Sequence, residues 1–368
     1  MHFGPTDAQE RLRARVRAFL AEVSPPAEVR RLMETDLGFD PDVWLRLAAE
    51  HDLVGLHLPD EVGGSGLGWV EQSVVLEEMG RVLLCAPYLA TVTAAAAVLA
   101  AGGEDDVLAP VAGGLCTATL AVAESTGRWD GAGVQTRAVP TPGGGGWRLE
   151  GEKSYVVDGC AADVLVVAAR PDGGSGEVAL FLVESGAPGL DRAPLATVDQ
   201  TRKQARITLA ATPARALPGA SVDTAMDLCA VALAAEQVGG AQRCLEAAVE
   251  HAGRRVQFGR PVGSFQAVKH LCAGMLLEVE SARGAAFYAA GAAAREGGVE
   301  LPAAAAVAKS CCSEAYVRVA TDSLHVHGGL GFTWDHDAHL YFKRARSSQL
   351  LFGDPRHHRE RLAGHLGL

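Results

Sequence analysis

The chain has 368 residues, of which 48% are hydrophobic and 21% are charged, and its 44 acidic and 33 basic side chains give a formal net charge of −11. At about 150 residues per domain, this length predicts two or three domains with a large buried core, and the composition excludes a disordered protein. The acidic balance disfavours a nucleic-acid binder, which needs a basic face to displace counterions from phosphates.

The N-terminal segment carries acidic side chains and four arginines between Arg11 and Arg17, so it has no apolar signal core. The most apolar run, residues 93–101, is far shorter than the roughly 20 residues of a membrane helix. The eight cysteines are scattered and form no C-x-x-C pair. We therefore expect a protein of the reducing cytoplasm, without a secretion signal, a transmembrane segment or a membrane partner.

Residues 1–113 are predicted to form a helical N-terminal domain. Apolar residues follow helical spacing after Pro41-Asp42 and again over Val70–Leu84, and the glycine-rich segment Pro59–Gly66 between them predicts a loop.

Residues 114–220 change to short apolar runs that predict strands of a small antiparallel β-barrel domain. The runs cover residues 120–122, 164–168, 178–183 and 206–209, and turn-forming segments at 142–146, 171–174 and 188–189 separate them.

Residues 221–368 return to long alanine-rich helices, predicted at 223–256, 264–295 and 302–325, as in a C-terminal helical bundle. The fold class is therefore multidomain α+β in the order helical, β, helical. Alternating β-α units are absent from the pattern, which disfavours a Rossmann domain.

Two motifs carry little chemistry by themselves. The segment Gly63–Leu67 resembles a nucleophile elbow, but Leu67 stands where that pattern requires glycine. Histidines are frequent near the C-terminus, yet their spacing matches no zinc template, so we expect no metal and interpret them as surface and interface side chains. These histidines are His325, His327, His336, His339, His357 and His358.

Glycines at Gly328, Gly329 and Gly331 form a third motif with two open interpretations. They would allow a ligand to approach the backbone closely, and they would equally well end a helix.

A longer signature resolves this ambiguity. The segment Arg255–His270 reads RVQFGRPVGSFQAVKH and resembles the R-x-x-F-G … F-Q-x-V-K signature of the acyl-CoA dehydrogenase family. The resemblance extends to the glycine motif at 327–333, to the segment at 58–68 and to the helical, β, helical order, so it covers essentially the whole chain.

The resemblance implies a helical N-terminal domain, a small β-barrel and a C-terminal four-helix bundle, usually assembled as a tetramer. It also implies desaturation of an acyl-CoA thioester: a glutamate removes the α-proton, and the β-hydrogen leaves as hydride to FAD. Each FAD is shared across a subunit interface, with its flavin ring on one subunit and its adenosine diphosphate end on the neighbour. Electron-transferring flavoprotein is the implied electron acceptor.

The side that would face a neighbour's FAD keeps the family pattern. By resemblance, Arg255 pairs with the pyrophosphate, Phe258 and Gln266 contact the nucleotide, and the three glycines admit it to the backbone. His325 stands where a glutamine is common and could donate a hydrogen bond. The predicted cofactor-binding residues are Arg255, Phe258, Gln266, His325, Gly328, Gly329 and Gly331.

The side that would hold this chain's own flavin ring departs from the pattern. Ala123 replaces a threonine of the T-E-P-G-A-G-S-D segment, and Arg128 and Trp129 replace its last glycine and serine. Val157 stands where a threonine hydroxyl would reach the flavin, and valine has no donor.

The catalytic base is also missing, so no catalytic residue is predicted. Phe352 occupies the usual place of the glutamate, and Cys229 and Ala230 occupy the alternative place at the start of the bundle. Asp354 and Glu236 are the carboxylates that could substitute; Asp354 is otherwise expected to cap the helix that begins at Pro355.

These losses favour a heteromer, because they affect this subunit's own flavin site and leave the features that serve a neighbour. The leading hypothesis is the non-catalytic subunit of an acyl-CoA dehydrogenase, which needs a second, base-bearing subunit of the family. It resembles the paired subunits of actinobacteria that act on steroid side-chain CoA thioesters. The alternatives are a homo-oligomeric enzyme that uses Asp354 or Glu236 as base, and a flavin-free scaffold that binds acyl-CoA.

Overall fold

A computed structural model describes residues 4–143, 145–172, 176–295 and 298–368. The chain divides into two compact units. The helical unit comprises the residues up to Arg30, Trp69–Leu84 and Ala230–Leu368, and the barrel unit comprises Arg31–Gly68 and Cys85–Cys229.

In chain order, the helices are α1 (Asp7–Val23), α2 (Pro26–Met33), α3 (Pro41–Ala49), α4 (Trp69–Arg81), a π-helical turn (Leu89–Ala95) leading into α5 (Ala96–Ala101), α6 (Asp105–Ala112), α7 (Val222–Arg254), α8 (Gln266–Ala293), α9 (Leu301–His327), α10 (Ala338–Leu350) and α11 (Pro355–His365). The three long helices predicted for the bundle begin and end within two residues of α7, α8 and α9. Among the described residues no helix is long and apolar enough to cross a bilayer.

The helical unit is organised around one core shared by α7, α8, α9 and α10. Small side chains fill much of it, which allows the helix axes to approach closely. The core residues are Ala241, Cys244, Leu245 and Ala248 of α7, Met275 and Val279 of α8, Tyr316, Val319 and Ala320 of α9, and Ala345 of α10. The predicted four-helix bundle is confirmed, and α11 packs against α9 beside it.

Helices α4 and α7 cross at glycines. A Cβ atom built on Gly239 would lie 1.7 Å from the carbonyl oxygen of Glu77, and one on Gly80 would lie 2.0 Å from that of Glu236. Because both neighbours are backbone atoms, they cannot move aside without shifting a helix. The crossing therefore requires glycine at both positions.

Replacing Gly239 by alanine is expected to lower the free energy of unfolding by about 2 kcal/mol or more, since overpacking against backbone forces the helices apart. Gly274 of α8 is the matched control, because a Cβ there meets no atom within 4 Å. Gly274→Ala is expected to raise stability by up to about 1 kcal/mol through helix propensity. Urea denaturation of both variants checks this, and equal effects would contradict the close crossing.

The barrel unit carries the β domain. Its strands are β1 (Ala118–Ala121), β2 (Arg137–Pro140), β3 (Trp147–Val157), β4 (Val164–Pro171), β5 (Ala179–Glu184), β6 (Leu190–Pro194) and β7 (Gln204–Ala216). The pairing β4-β2-β3-β7-β5 returns to β4 and closes a small barrel, while β1 adds to β4 and β6 adds to β7. Branched and aromatic side chains fill the interior, including Leu165, Val167, Phe181 and Ile207.

The predicted barrel is confirmed, but its pairing is not wholly antiparallel. β1 and β2 both pair with β4 in parallel, whereas the other barrel ladders are antiparallel. Local turn signals predict hairpins between neighbouring strands and carry no information on such long-range parallel pairs. The predicted turns at 142–146 and 171–174 include Gly144, Gly173 and Gly174, which lie outside the described residues.

A buried ion pair ties β3 to the segment after β1. Lys153 Nζ lies 2.9 Å from Glu124 Oε1 and donates to the carbonyl of Val122 at 3.0 Å. Burial lowers the pKa of Lys153 to about 8. Burial would raise the pKa of Glu124, but hydrogen bonds from Lys153 and Thr136 outweigh it and bring that pKa below its ordinary value. Both side chains therefore stay charged near neutral pH, so the pair fixes this segment firmly.

Candidate functional site

The end of α7 leads into a short β-hairpin whose two-residue turn carries an aromatic side chain. Its short strands are β8 (Val256–Gln257) and β9 (Arg260–Pro261), and Phe258 and Gly259 at the tip have φ values of 51° and 76°. Two positive φ values in sequence are the geometry of a type I′ turn. Phe258 is 91% exposed, and its ring centroid lies 6.1 Å from that of Phe265 in an edge-to-face arrangement. The predicted nucleotide contact is thus held out into solvent.

Arg255 stands at the base of this hairpin with an exposed side chain. Its backbone N–H donates to the carbonyl of His251 at 2.8 Å, and its carbonyl accepts from Val262 at 2.8 Å, so the backbone is fixed. Its guanidinium forms no ion pair with a carboxylate of the described residues, whereas the adjacent Arg254 lies 2.7 Å from Glu250. Arg255 therefore offers an uncompensated cation on a rigid backbone.

The glycine motif follows α9 directly. Gly328 has φ 62°, and a Cβ on Gly328 or Gly329 would meet no atom within 4 Å, so the backbone is open on this side. Gly331 differs, because it is buried and a Cβ there would meet His327 and Leu324 at 3.1 and 3.3 Å. Gly331 is thus required by packing within the helical unit, while Gly328 and Gly329 leave room for a ligand.

The two remaining predicted side chains are exposed at helix ends. Gln266 is the first residue of α8, and His325 lies in the last turn of α9 with its Nδ1 3.9 Å from Asp322 Oδ1. The hairpin and the glycine turn are neighbours, because the rings of His251 and His327 are 4.5 Å apart. An exposed guanidinium beside open glycine backbone fits a diphosphate, and contact with that group remains a prediction.

The segments expected at this chain's own flavin ring are filled with apolar side chains. Ala123 and Val157 are 1% and 3% exposed, and the carbonyl of Val157 accepts from the Thr119 hydroxyl at 2.6 Å. Trp129 is buried, and Arg128 points to solvent in an ion pair with Asp130 at 2.7 Å. Neither Ala123 nor Val157 can donate a side-chain hydrogen bond to a flavin.

Neither position predicted for the catalytic base carries a carboxylate. Phe352 is 4% exposed, and Cys229 and Ala230 are fully buried. Burial strongly raises the pKa of the Cys229 thiol, so it stays protonated and cannot accept a proton at neutral pH.

The two substitute carboxylates have structural roles. Glu236 Oε1 lies 2.8 Å from Nη1 of Arg344, and both side chains are buried. Asp354 Oδ1 accepts from the backbone N–H of His357 at 2.8 Å, so it caps α11 as expected. Because each of these two carboxylates is engaged by its structural partner, neither is available as a free base.

Two buried side chains hold the turn that contains Phe352, and the sequence predicted this role for neither of them. Lys309 of α9 donates to the carbonyl of Gly353 at 2.9 Å, and His358 Nε2 lies 2.9 Å from the carbonyl of Phe352. Phe352 and Gly353 have φ values of 60° and 98°. The turn is thus fixed from two helices although Phe352 itself cannot accept a proton.

The interpretation of the C-terminal histidines as surface side chains is wrong for two of them. His327 and His358 are 6% and 1% exposed, because each packs at a helix end against backbone carbonyls. Spacing alone cannot distinguish such a histidine from an exposed one. Within the described part of the chain, no group of three or more His, Cys, Asp or Glu side chains is arranged to hold a metal.

Comparison with known families covers the whole chain. Three family models match: the N-terminal domain of acyl-CoA dehydrogenase over residues 6–129, its middle domain over 119–224 and its C-terminal domain over 220–367. A curated relative, acyl-CoA dehydrogenase IpdE2 of Mycobacterium tuberculosis, is 34% identical over 96% of this chain and 95% of its own length.

Solved structures give the same result. A variant of the Tcur3481-Tcur3483 steroid ACAD superposes with a TM-score of 0.90 at 32% identity and covers 98% of both chains. The ChsE4-ChsE5 complex of Mycobacterium tuberculosis superposes with a TM-score of 0.91 at 30% identity, over 100% of this chain and 99% of the matched chain. The helical, β and helical parts described above thus match over their full length, and the chain belongs to the acyl-CoA dehydrogenase family.

Proposed function

We propose that this chain is the base-lacking subunit of a heteromeric acyl-CoA dehydrogenase. It pairs with a second acyl-CoA dehydrogenase-like subunit and completes that partner's FAD site, so activity requires both chains. The substrate is an acyl-CoA thioester, of the steroid side-chain class. In this proposal, residues 1–113, 114–220 and 221–368 are the three domains of the subunit.

The observation that carries the proposal is the asymmetry between two sets of residues. In the set predicted to serve a partner's FAD, Arg255 and the open backbone at Gly328 and Gly329 are exposed without a carboxylate partner among the described residues. In the set predicted to serve this chain's own flavin, Phe352 stands at the predicted place of the base and Val157 at that of a hydroxyl donor. Loss of function without a selected role would degrade both sets alike.

The family implies FAD, which accepts the hydride in the desaturation of an acyl-CoA. The residues of this chain fit only its adenosine diphosphate end. Arg255 would pair with the pyrophosphate, Phe258 would pack on the nucleotide, and the Gly328-Gly329 backbone would approach it closely. The apolar side chains of Ala123 and Val157 do not fit the ring end, which we assign to the partner subunit.

The relatives support the heteromeric assembly and the substrate class. One similar structure is described as a steroid ACAD, and another is a complex of two different chains, ChsE4 and ChsE5. Electron-transferring flavoprotein is the proposed electron acceptor. A cytoplasmic setting is part of the proposal and is supported by eight cysteines that are all free thiols.

The flavin absorbance spectrum tests the assembly. The chain purified alone is expected to be colourless, and the complex with a base-bearing subunit of the family is expected to carry one FAD for every two subunits. FAD bound stoichiometrically by the chain alone would overturn the proposal in favour of a homo-oligomeric enzyme. A complex that forms without flavin would favour a scaffold.

An Asp354→Asn variant separates the heteromer from the homo-oligomeric alternative. Asparagine caps helices as well as aspartate does, so stability is expected to change by less than about 0.5 kcal/mol. The activity of the complex is expected to stay unchanged, because the carboxylate is used only for capping. Asp354→Ala is the control for loss of the cap, at a cost of about 1 kcal/mol. Steady-state rates of acyl-CoA dehydrogenation by both variants test this expectation. A large loss of activity in the Asp354→Asn variant would identify Asp354 as the base.

A further inference from the structure

Three imidazole rings form a tilted cluster, the histidine stack, where the end of α7 meets the end of α9, and the planes of neighbouring rings are inclined by 42° and 50°. The ring of His327 lies 4.5 Å from that of His251 and 4.4 Å from that of His336, measured between ring centroids. His327 is in the middle and is buried. The three residues come from α7, from the end of α9 and from the segment that leads into α10, so the stack joins three parts of the helical unit.

Backbone hydrogen bonds define which nitrogens carry protons. His327 Nδ1 lies 2.7 Å from the carbonyl of Ser323, and a carbonyl can only accept, so this nitrogen is protonated. The backbone N–H of Ala338 donates to Nδ1 of His336 at 3.1 Å, so that nitrogen is unprotonated. The geometry thus requires a neutral His336, because a proton on its Nδ1 would break the bond to Ala338.

Two of the three histidines lie close in the chain to a proposed nucleotide contact. The backbone carbonyl of His251 accepts from the backbone N–H of Arg255, and His327 directly precedes Gly328. The contact between the His251 and His327 rings therefore joins the end of α7, which carries the exposed guanidinium, to the end of α9, which carries the open glycine backbone. No other described ring contact joins these two motifs.

The surroundings of the stack are cationic. The rings line a cavity of about 290 Å³. The charged and titratable groups around the rings are Arg243, Glu250 and Arg254 of α7, Arg255 directly after it, Arg30 of α2, Asp337 before α10 and Tyr341 of α10. The two carboxylates are already paired, Glu250 with Arg254 at 2.7 Å and Asp337 with Arg30 at 2.8 Å. A protonated imidazole of the stack would thus lie close to several arginines, and both carboxylates in this set are already paired with arginines.

We propose that His251, His327 and His336 are positioning residues: while neutral, they hold the glycine turn and the hairpin in one arrangement, and protonation of the stack releases that arrangement. The proposal rests on the proposed function only in assigning these two motifs to FAD. The rings touch no reacting atom, and their effect is on the geometry of Arg255 and Gly328.

The pH dependence follows from the titration of the outer rings. Burial, followed by the neighbouring rings, lowers the pKa of His251 and His336 below the ordinary value of 6.5. Local opening restores the ordinary value, so opening takes up protons. Opening is therefore favoured as the pH falls below about 6.5 and is independent of this stack at higher pH.

Amide hydrogen exchange of the full chain, read by mass spectrometry at about pH 7.5 and about pH 5.5, tests the proposal. After correction for intrinsic exchange, protection of the peptides covering residues 255–265 and 326–334 is expected to fall at the lower pH, because opening takes up protons on His251 and His336. Peptides of α1 are expected to show no such fall.

A His251→Gln/His336→Gln double variant removes both titrating rings. The glutamine introduced at position 336 can still accept from the backbone N–H of Ala338. In this double variant, we expect the protection of the peptides covering residues 255–265 and 326–334 to be the same at both pH values. His365→Gln, at an exposed position of α11, is the matched control and should behave like the parent.

No fall in the parent, or an equal fall in the double variant, would overturn the proposal. If the double variant loses its fold, selective ¹⁵N-histidine NMR of the parent decides instead: His251 and His336 must titrate below 6.5, and titration at or above that value would overturn the inference. Because neither measurement uses flavin, a negative result leaves the proposed function untouched. Colourless preparations of the heteromeric complex would refute the proposed function and leave the histidine stack untouched.

Discussion

An Arg255→Ala variant of the proposed heteromeric complex is expected to release FAD about 10- to 100-fold more readily than the parent. A charge-assisted hydrogen bond between a guanidinium and a phosphate contributes about 1.5–3 kcal/mol, and every 1.4 kcal/mol is a factor of ten in affinity. Arg255 is exposed and has no carboxylate partner among the residues the structure describes, so its removal leaves no unpaired carboxylate in the protein. The interaction that is lost is therefore the one with FAD.

Arg254 is the matched control for this variant. It is adjacent in sequence and similarly exposed, but it is paired with Glu250 at 2.7 Å. Arg254→Ala is therefore expected to change FAD retention by less than about twofold, as for a surface ion pair. Flavin absorbance before and after ultrafiltration measures both variants. Equal losses from the two would show that general positive charge, and not a defined contact, holds the cofactor.

The helices of the bundle were predictable because their signals are local. The long alanine-rich stretches of the sequence place α7, α8 and α9 within two residues of their ends. The barrel was predictable as a domain, but β2, β3 and β6 were not identified as strands. The parallel pairing of β1 and β2 with β4 depends on residues far apart in sequence, which no periodicity encodes.

The candidate site was predictable in its residue types and not in its geometry. The family signature identified Arg255 and the glycine motif, yet it could not show that Gly331 packs against its own helix while Gly328 and Gly329 are open. The histidine stack was missed because His251 and His336 are 85 positions apart in sequence and meet only through folding. Buried cations such as Lys309 were missed for the same reason, since their acceptors come from another helix.

Lys309 is the most completely enclosed cation of the helical unit's described part. Its ammonium donates to the carbonyls of Ser348 and Gly353 at 3.1 and 2.9 Å and to the Ser313 hydroxyl at 3.0 Å. The carbonyl of Gln349 lies at 3.2 Å as well. These carbonyls end α10 and form the turn around Phe352, so one side chain satisfies acceptors that the helix itself leaves open. Burial lowers the pKa of Lys309 to about 7.

Replacing Lys309 by methionine is expected to lower the free energy of unfolding by about 3 kcal/mol or more. The side chain keeps its length, but several buried oxygens lose their donor, and each such acceptor costs about 1–3 kcal/mol. Lys269→Met is the control, because Lys269 is exposed on α8; it should change stability by less than about 0.5 kcal/mol. Urea denaturation gives both values, and similar stabilities for the two variants would contradict this role.

The same variant has a second readout in His358. Burial lowers the pKa of this imidazole to about 3, and repulsion from the Lys309 ammonium is the next cause. Removing the ammonium is therefore expected to raise the pKa of His358, while burial still keeps it below 6.5. Selective ¹⁵N-histidine NMR follows the titration, and the Lys269→Met control should leave it unchanged. An unmoved pKa in a folded Lys309→Met variant would mean that the ammonium does not act on the Phe352 turn through charge. A raised pKa of His358 together with lost stability would show that the Lys309 ammonium supports this turn, although Phe352 within it cannot accept a proton.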